Sequence, residues 1–310
     1  MKRIICSLLL AWGMVFPAAA QINVLSTIKP LHMIVLELTK GAAQADYLLP
    51  AGGSPHDFSM RPSDLRRLHQ ADLVIWVGPE LETFLVGIES TLSKTITLTS
   101  EESIHFRYYD DVHNDHDHDH DHDHDHDHDH DHHHSHDHNG VDPHFWLGVE
   151  QAEQAAKVIV RSLIEKDPLH REVYIANLAA FQLKLAQTKQ DIAVSLKPVT
   201  TLGYFVFHDA YGYFEEQFEL LNLGHFTVAP DRRPGAKTLA AIKRRLENND
   251  AVCVFREPQF EPAVIQSVVR GTDVRIGTLD PVAGNIPPES GSYFLFLKQL
   301  ASQYLQCLHV

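Results

Sequence analysis

The chain has 310 residues, 44% of them hydrophobic, and a formal net charge of −15. This length is sufficient for two domains, each with its own core. Twelve aspartates lie between Asp110 and Asp137, a stretch without lysine or arginine, and outside it 29 acidic residues face 26 basic ones. The acidity is therefore confined to one segment, and no basic or aromatic surface for binding nucleic acid is indicated.

The N-terminus has the pattern of a secretory signal peptide. The first three residues carry two positive charges, the run from Ile4 to Phe16 is apolar, and small residues precede Gln21. The apolar run is too short for a permanent membrane-spanning helix, and no later stretch approaches the required length. We therefore predict that residues 1–20 direct export to the periplasm, where the protein is not embedded in the membrane.

Strands and helices are predicted to alternate along the rest of the chain, which favours parallel sheets. The predicted elements are strands 23–28, 46–49, 71–78, 204–207, 251–255 and 273–277, and helices 31–38, 62–69, 213–220 and 237–246. Asp167 can cap a further helix with Pro168 in its first turn, and no glycine or proline interrupts the chain before Pro198. This stretch is predicted to form one long rigid helix.

The predicted fold class is α/β, with two similar lobes of mainly parallel sheets that are separated by a cleft and joined by that one long rigid helix. The predicted boundaries are 1–20 for the signal peptide, 21–165 for the N-terminal lobe, 166–197 for the linking helix and 198–310 for the C-terminal lobe. Residues 110–138 are mostly strict Asp-His alternation with almost nothing apolar to bury, so a disordered loop is expected there.

Fourteen of the 23 histidines lie in that loop, and nine lie elsewhere. Three of the nine, His56, His144 and His208, stand beside an acid or a proline where structural elements are expected to end. His208 follows a predicted strand and precedes a helix, which is the edge of a parallel sheet where ligands bind. With Asp280, which ends another predicted strand, these residues could complete a tetrahedral zinc site in the cleft between the lobes. From spacing alone, three unrelated surface or core histidines are an equal alternative.

Two cysteines, Cys253 and Cys307, remain after removal of the signal peptide. In an oxidising compartment such a pair is typical of one disulfide, and two buried free thiols are the alternative.

Several motifs resemble the periplasmic zinc-binding component of the high-affinity zinc ABC uptake system (the ZnuA type), within the metal-binding group of solute-binding proteins. The resemblance spans essentially the full mature length. It rests on Pro-His-Asp-Phe-Ser-Met-Arg-Pro-Ser-Asp at 55–64, Asp-Pro-His-Phe-Trp-Leu at 142–147, Phe-His-Asp-Ala-Tyr-Gly-Tyr-Phe at 207–214, Thr-Leu-Asp-Pro at 278–281, and the histidine-rich insertion.

The resemblance implies that His56, His144 and His208 bind the metal. Relatives that take manganese usually have glutamate at the third position, so His208 indicates zinc. Some zinc-binding members have a glutamate directly before the first histidine, where this chain has Pro55. The fourth ligand is then expected to be Asp280 or water. The family's cysteine pair matches the two cysteines, which favours the disulfide.

The function implied by the resemblance is capture of Zn²⁺ and its delivery to an inner-membrane ABC permease and its ATPase, by a protein expected to be monomeric. The histidine-aspartate loop could collect zinc, sense it, or be neutral low-complexity sequence. Weak auxiliary metal sites are expected at His116, His118, His120 and, at the mouth of the cleft, His225.

Two other functions compete with this interpretation. One is a soluble zinc buffer or chaperone that serves no transporter. The other is a zinc hydrolase, but the sequence lacks His-Glu-x-x-His, a nucleophile elbow and a phosphate loop. No enzymatic activity is therefore expected.

Overall fold

The computed structural model describes residues 21–109, 140–230, 232–260 and 263–309. The predictions of a signal peptide at 1–20 and a loop at 110–138 lie outside the described residues. None of the described helices combines the length and the low charge needed to cross a bilayer. The elements of the N-terminal lobe are β1 (Asn23–Ser26), α1 (Lys29–Thr39), β2 (Gln44–Tyr47), α2 (Pro62–Gln70), β3 (Leu73–Trp76), β4 (Thr95–Thr97) and α3 (Val149–Lys166).

The second half of the chain contains the long linking helix and the C-terminal lobe. Its elements are α4 (Arg171–Leu196), β5 (Tyr204–His208), α5 (Gly212–Gln217), β6 (Asn222–Thr227), α6 (Ala236–Glu247), β7 (Cys253–Arg256), α7 (Ala263–Val269), β8 (Arg275–Thr278) and α8 (Ser292–Leu308). The predicted fold class, two α/β lobes joined by a long helix, is confirmed. The domain boundaries within it stay predictions.

The described strands form two parallel sheets with the same topology. The strand order is β2-β1-β3-β4 in the first sheet and β6-β5-β7-β8 in the second. In both sheets the first strand of the lobe lies next to the third. The chain passes from the first strand toward one edge of the sheet and from the third strand toward the other edge. The carboxyl end of such a pair is where ligands bind in open parallel sheets.

Alternation along β5 determines where its last side chain points. Tyr204 and Val206 belong to the hydrophobic cluster shared by both lobes, whereas Phe205 and Phe207 belong to a second cluster together with residues of α6 and α7. Since successive side chains of a strand face opposite sides, His208 shares the face of Tyr204 and Val206. This is the face that packs in the core shared by both lobes.

The two lobes share one continuous hydrophobic core. It contains Val24 and Ile75 of the first sheet, Phe255 of the second, and Phe181 of the linking helix. Helix α4, about 39 Å long at 1.5 Å per residue, packs against α1, α3 and α8. The buried apolar side chains of α4 are Tyr174, Phe181, Leu185, Ile192 and Leu196. A shared core of this kind restricts the relative movement of the lobes.

The predicted helix cap at Asp167 is wrong in its contacts. The Asp167 carboxylate accepts hydrogen bonds from the side chains of His170 (2.7 Å) and Tyr174 (2.8 Å), and it caps no backbone N–H. A short 3₁₀ turn at Pro168–His170 separates it from α4. The turn moves the helix start beyond the reach of this side chain.

Two hydrogen bonds made by Trp146 join the two lobes next to the cleft. The indole Nε1 of Trp146 donates to the Pro281 carbonyl oxygen at 2.8 Å, and the Tyr293 hydroxyl donates to the Trp146 carbonyl oxygen at 2.7 Å. All three groups are buried. The segment that follows β8 is therefore held against the segment that precedes α3.

A disulfide joins Cys253 on β7 to Cys307 on α8, as predicted, with Cα atoms 6.0 Å apart. We expect Cys253→Ser/Cys307→Ser to lower the free energy of unfolding by about 2 to 5 kcal/mol, because the 54-residue separation is no longer closed in the unfolded chain. Denaturant unfolding of metal-free protein measures the difference. Reductant should bring the wild type to the variant's midpoint and leave the variant unchanged; equal midpoints for oxidised wild type and variant would contradict the expectation.

His32 on α1 should make the metal-free protein sensitive to acid. Its side chain is buried, and burial lowers the pKa of His32 to about 4, partly opposed by the charge of Asp46. In the unfolded chain the same imidazole takes up a proton near pH 6.5. Between these values the unfolded state binds more protons, so stability falls as the pH drops from about 6.5 toward 4.

We expect His32→Gln to flatten the dependence of unfolding free energy on pH in that window. The matched control is His69→Gln on the exposed face of α2, which should retain the wild-type slope. Identical slopes for wild type and His32→Gln would show that His32 does not cause the acid sensitivity.

Candidate metal centre

Three imidazoles from distant parts of the chain meet in the cleft. His56 lies in the turn between β2 and α2, His144 precedes the short turn leading into α3, and His208 is the last residue of β5. One ring nitrogen from each lies within 4.8 Å of the other two, and within the described part of the chain these residues form the one such metal-ligating group. The ring centroids are 4.8 to 5.5 Å apart.

The spacing of these nitrogens suits a tetrahedral ion. The Nε2 atoms of His56 and His144 lie 3.4 Å apart. Zinc holds nitrogen ligands at about 2.0 to 2.1 Å, which separates neighbouring ligand atoms by about 3.4 Å in a tetrahedron. The nitrogens of His56 and His144 therefore already have the separation that a zinc ion requires.

Burial keeps two of the imidazoles neutral. It lowers the pKa of His56 and of His144 well below the ordinary 6.5, and the charge that the neighbouring imidazole of His208 could carry acts in the same direction. His144 and His208 are 1% and 2% exposed. Only a neutral imidazole offers a lone pair to a metal, so His56 and His144 can bind an ion at neutral pH without first losing a proton.

Two buried carboxylates hold the imidazoles that come from either side of the cleft. Nδ1 of His144 lies 2.9 Å from Asp142 Oδ1, and Nδ1 of His208 lies 3.0 Å from Glu257 Oε1. An ionised carboxylate only accepts, so each Nδ1–H donates and each Nε2 is left with its lone pair toward the site. Nε2 of His208 is buried and has no hydrogen-bond partner among the described residues.

Asp142 is ionised at neutral pH in spite of its burial. Burial raises its pKa to about 6, while the hydrogen bond from the His144 backbone and the charge of Arg107 oppose that rise. The carboxylate is 0% exposed and pairs with Arg107 at 2.7 Å. A fixed negative charge therefore lies directly behind one of the three imidazoles.

Asp280 follows β8, as predicted, but it lies outside the group of three histidines. Its Oδ1 accepts from Gln259 Nε2 at 2.8 Å and from the Val282 N–H at 3.2 Å, and its Oδ2 accepts from the Gly284 N–H at 2.6 Å. These contacts occupy both oxygens. The prediction that Asp280 binds the metal stays a prediction.

His225 also lies outside the group. It is on β6, with Nδ1 3.4 Å from Asp209 Oδ2, and its side chain is 29% exposed. His116, His118 and His120 lie outside the described residues. The predicted auxiliary sites therefore stay predictions.

Sequence reasoning missed Glu257 and the role of Asp142. Glu257 directly follows β7, whose neighbour in the sheet is β5. Register pairs Val206 with Phe255, so His208 and Glu257, each two residues further on, come to lie side by side. The sequence did contain an indication of this role. Glu257 stands at the carboxyl end of a strand, as His208 does, and that position could have identified it.

Glu257→Ala should lower the affinity for Zn²⁺ about 10- to 100-fold, because His208 loses the acceptor that fixes its ring and tautomer. Glu257→Gln keeps an acceptor and should lose less. Competition with a chromophoric chelator measures both, with Glu247→Gln on the exposed face of α6 as control. Wild-type affinity in Glu257→Ala would contradict the assigned contact.

Comparison with known proteins agrees with the motifs. Residues 24–307 match the family model described as zinc-uptake complex component A, periplasmic. The chain is 45% identical to the high-affinity zinc uptake system protein ZnuA of Yersinia pestis, over 93% of this chain and 92% of that protein. It is also 45% identical to the ZnuA of Haemophilus ducreyi, over 93% and 94% of the two chains.

The fold is similar to that of a solved, zinc-bound ZnuA deletion mutant, with a TM-score of 0.75, 20% sequence identity, and coverage of 94% of this chain and 99% of that one. At this identity the likeness concerns the fold alone. The match of the family model to nearly the whole chain carries the assignment. The chain therefore belongs to the family of periplasmic zinc-uptake complex A components.

Proposed function

We propose that this protein captures Zn²⁺ in the periplasm and delivers it to an ABC transporter for high-affinity uptake. The observation that carries the proposal is the group of three imidazoles contributed by both lobes, His56 and His144 from one and His208 from the other. Membership in the zinc-uptake family supports the same function. The role is one of binding and release, without catalysis.

The donor set favours zinc over harder ions. Three nitrogen ligands suit zinc, whereas manganese, magnesium and calcium prefer carboxylate and carbonyl oxygen. The carboxylates of Asp142 and Glu257 contact the Nδ1 atoms of His144 and His208, which face away from the proposed ion. They supply negative charge to balance a divalent ion without being its ligands.

Binding would link the lobes, because the ion would be shared by ligands on both sides of the cleft. Two of the imidazoles are already oriented before the ion binds, because Asp142 and Glu257 hold them. Release would require these ligands to separate. A permease that contacts both lobes could produce that separation by a small relative displacement.

Asp280 is proposed as the fourth ligand, with water as the alternative. Its neighbours Pro281 and Val282 line the small cavity at the three histidines. To reach the ion, the carboxylate would exchange at least one of its present donors, such as Gln259. The absorption spectrum of the Co²⁺-loaded protein should change in Asp280→Asn if the carboxylate is a ligand, and stay unchanged if water completes the site.

The proposal includes export by a signal peptide, a monomeric state, and partnership with an inner-membrane permease and its ATPase. The auxiliary sites at His225 and in the Asp-His segment belong to it as well. Alternating imidazoles and carboxylates in that segment would offer several weak, exchangeable sites, which release metal as the imidazoles protonate.

Zinc retention by the full chain tests the proposal. After dialysis against a chelator that strips weak sites, the wild type should keep one zinc per chain, since three fixed imidazoles bind far more tightly than exposed ones. His144→Ala and His208→Ala should keep none, and the matched control His69→Ala should keep one. Metal analysis of the dialysed proteins measures the ratio.

Loss of all zinc from the wild type, or full retention by His208→Ala, would contradict the proposed site. Growth at limiting zinc tests delivery separately. A strain carrying His208→Ala should grow as poorly as a deletion strain. Normal growth of the deletion strain would favour a zinc buffer over a transport component.

A further inference from the structure

Arg107 lies where the two lobes meet, on the side of the cleft next to His144. Its backbone pairs with the segment that carries the ligand, because the Asp142 N–H donates to the Arg107 carbonyl oxygen at 2.9 Å. The adjacent residues Tyr108 and Val141 form an antiparallel bridge. The backbone of Arg107 is therefore held in place independently of its side-chain contacts.

On the N-terminal side, the guanidinium holds the carboxylate that orients His144. Arg107 Nη1 donates to Asp142 Oδ2 at 2.7 Å, while Asp142 Oδ1 accepts from His144 Nδ1 at 2.9 Å and from the His144 N–H at 3.0 Å. The two oxygens are thus divided between the arginine and the ligand. A fully buried carboxylate needs such a partner, because an unpaired charge there would be costly.

On the C-terminal side, the same guanidinium contacts helix α5, which begins four residues after His208. Arg107 Nε donates to Glu216 Oε1 at 2.6 Å, and Cζ lies 5.6 Å from the centre of the Tyr213 ring. The planar group also lies directly against Gly212, the first residue of α5. A Cβ at this position would overlap Nη1 and Cζ.

Tyr213, on α5 of the C-terminal lobe, makes two further hydrogen bonds to the N-terminal lobe. Its hydroxyl donates to the Asp142 carbonyl oxygen at 2.7 Å and accepts from the Arg107 N–H at 2.9 Å. Both the backbone and the side chain of the His144 segment are therefore joined to α5. Arg107, Asp142, Gly212, Tyr213 and Glu216 are together called the cross-lobe clasp.

We infer that Arg107 is a positioning residue for metal binding, which sets the separation of His144 and His208 by joining Asp142 to the start of α5 through the cross-lobe clasp. Its guanidinium donates to Asp142 and Glu216 and not to an imidazole. Its effect reaches His144 through the Asp142 carboxylate, and it reaches His208 through the segment that connects β5 to α5. The inference rests on the proposed zinc site and adds a residue that neither ligand chemistry nor motif spacing identifies.

Arg107→Ala should lower the affinity for Zn²⁺ about tenfold or more, since loss of partners behind a ligand typically has effects of 10- to 100-fold. Arg107→Lys should retain part of the affinity, because an ammonium keeps the charge but cannot hold Asp142 and Glu216 with one planar group. Arg161→Ala, which removes an exposed ion pair with Glu101, is the matched control and should bind as the wild type does.

Gly212→Ala provides an independent route to the same displacement, because its methyl group would push the guanidinium away. It should lose affinity to a similar extent. In Arg107→Ala/Gly212→Ala the methyl group has nothing to displace, so the double variant should bind no more weakly than Arg107→Ala alone. Chelator competition gives the four affinities of this cycle, and the Co²⁺ absorption spectrum reports the geometry at the ion.

Three results would overturn the inference. They are an affinity of Arg107→Ala within twofold of the wild type, full additivity of the two single variants, and a lower melting temperature of metal-free Arg107→Ala with unchanged affinity and Co²⁺ spectrum. Failure of the proposed function is distinguishable, because then the wild type would not retain zinc or His208→Ala would bind normally. In that case the clasp has no site to position, and the inference fails with it.

Discussion

The arrangement depends on one constraint: three imidazoles from separate parts of the chain must occupy one small volume. Burial lowers the pKa of His56 and of His144, and protonated rings at this distance would repel one another. They can stay together only if the backbone around them is held elsewhere. The shared hydrophobic core, helix α4 and the contacts of Trp146 provide that support.

The electrostatic arrangement fits a divalent ion. Asp142 and Glu257 are buried behind imidazoles from opposite lobes, and each removes one Nδ1 from the set of possible ligand atoms. The fold alone does not determine the metal, because parallel-sheet lobes of this kind only supply strand ends around a cleft. Metal selectivity depends on the side chains at those strand ends. Here they offer nitrogen ligands, and the carboxylates contact the imidazoles instead of the position of the ion.

Much of the fold was predictable from the sequence. Apolar strands such as β3 and β5 and the uninterrupted stretch of α4 follow from composition and from the absence of glycine and proline. Strands β4 and β6 were not assigned, because Thr95–Thr97 is very short and Asn222–Thr227 contains a glycine and no continuous apolar run. These segments form strands because they pair with β3 and β5.

The candidate site was predictable in part. His56, His144 and His208 stand at the ends of elements and match family motifs, so the sequence identified them. Glu257 and Arg107 carry no motif, and their partners lie 49 and 35 residues away. Such contacts depend on strand register and on how the lobes meet, which local sequence does not encode. Whether Asp280 reaches the ion depends on an exchange of hydrogen bonds that spacing cannot indicate.

The most direct measurement is the location of zinc by anomalous diffraction from crystals of the full chain loaded with one equivalent of the metal. We expect one strong peak bonded to ring nitrogens of His56, His144 and His208, at about 2.0 to 2.1 Å from each. A peak located elsewhere, with these three imidazoles unliganded, would contradict that expectation.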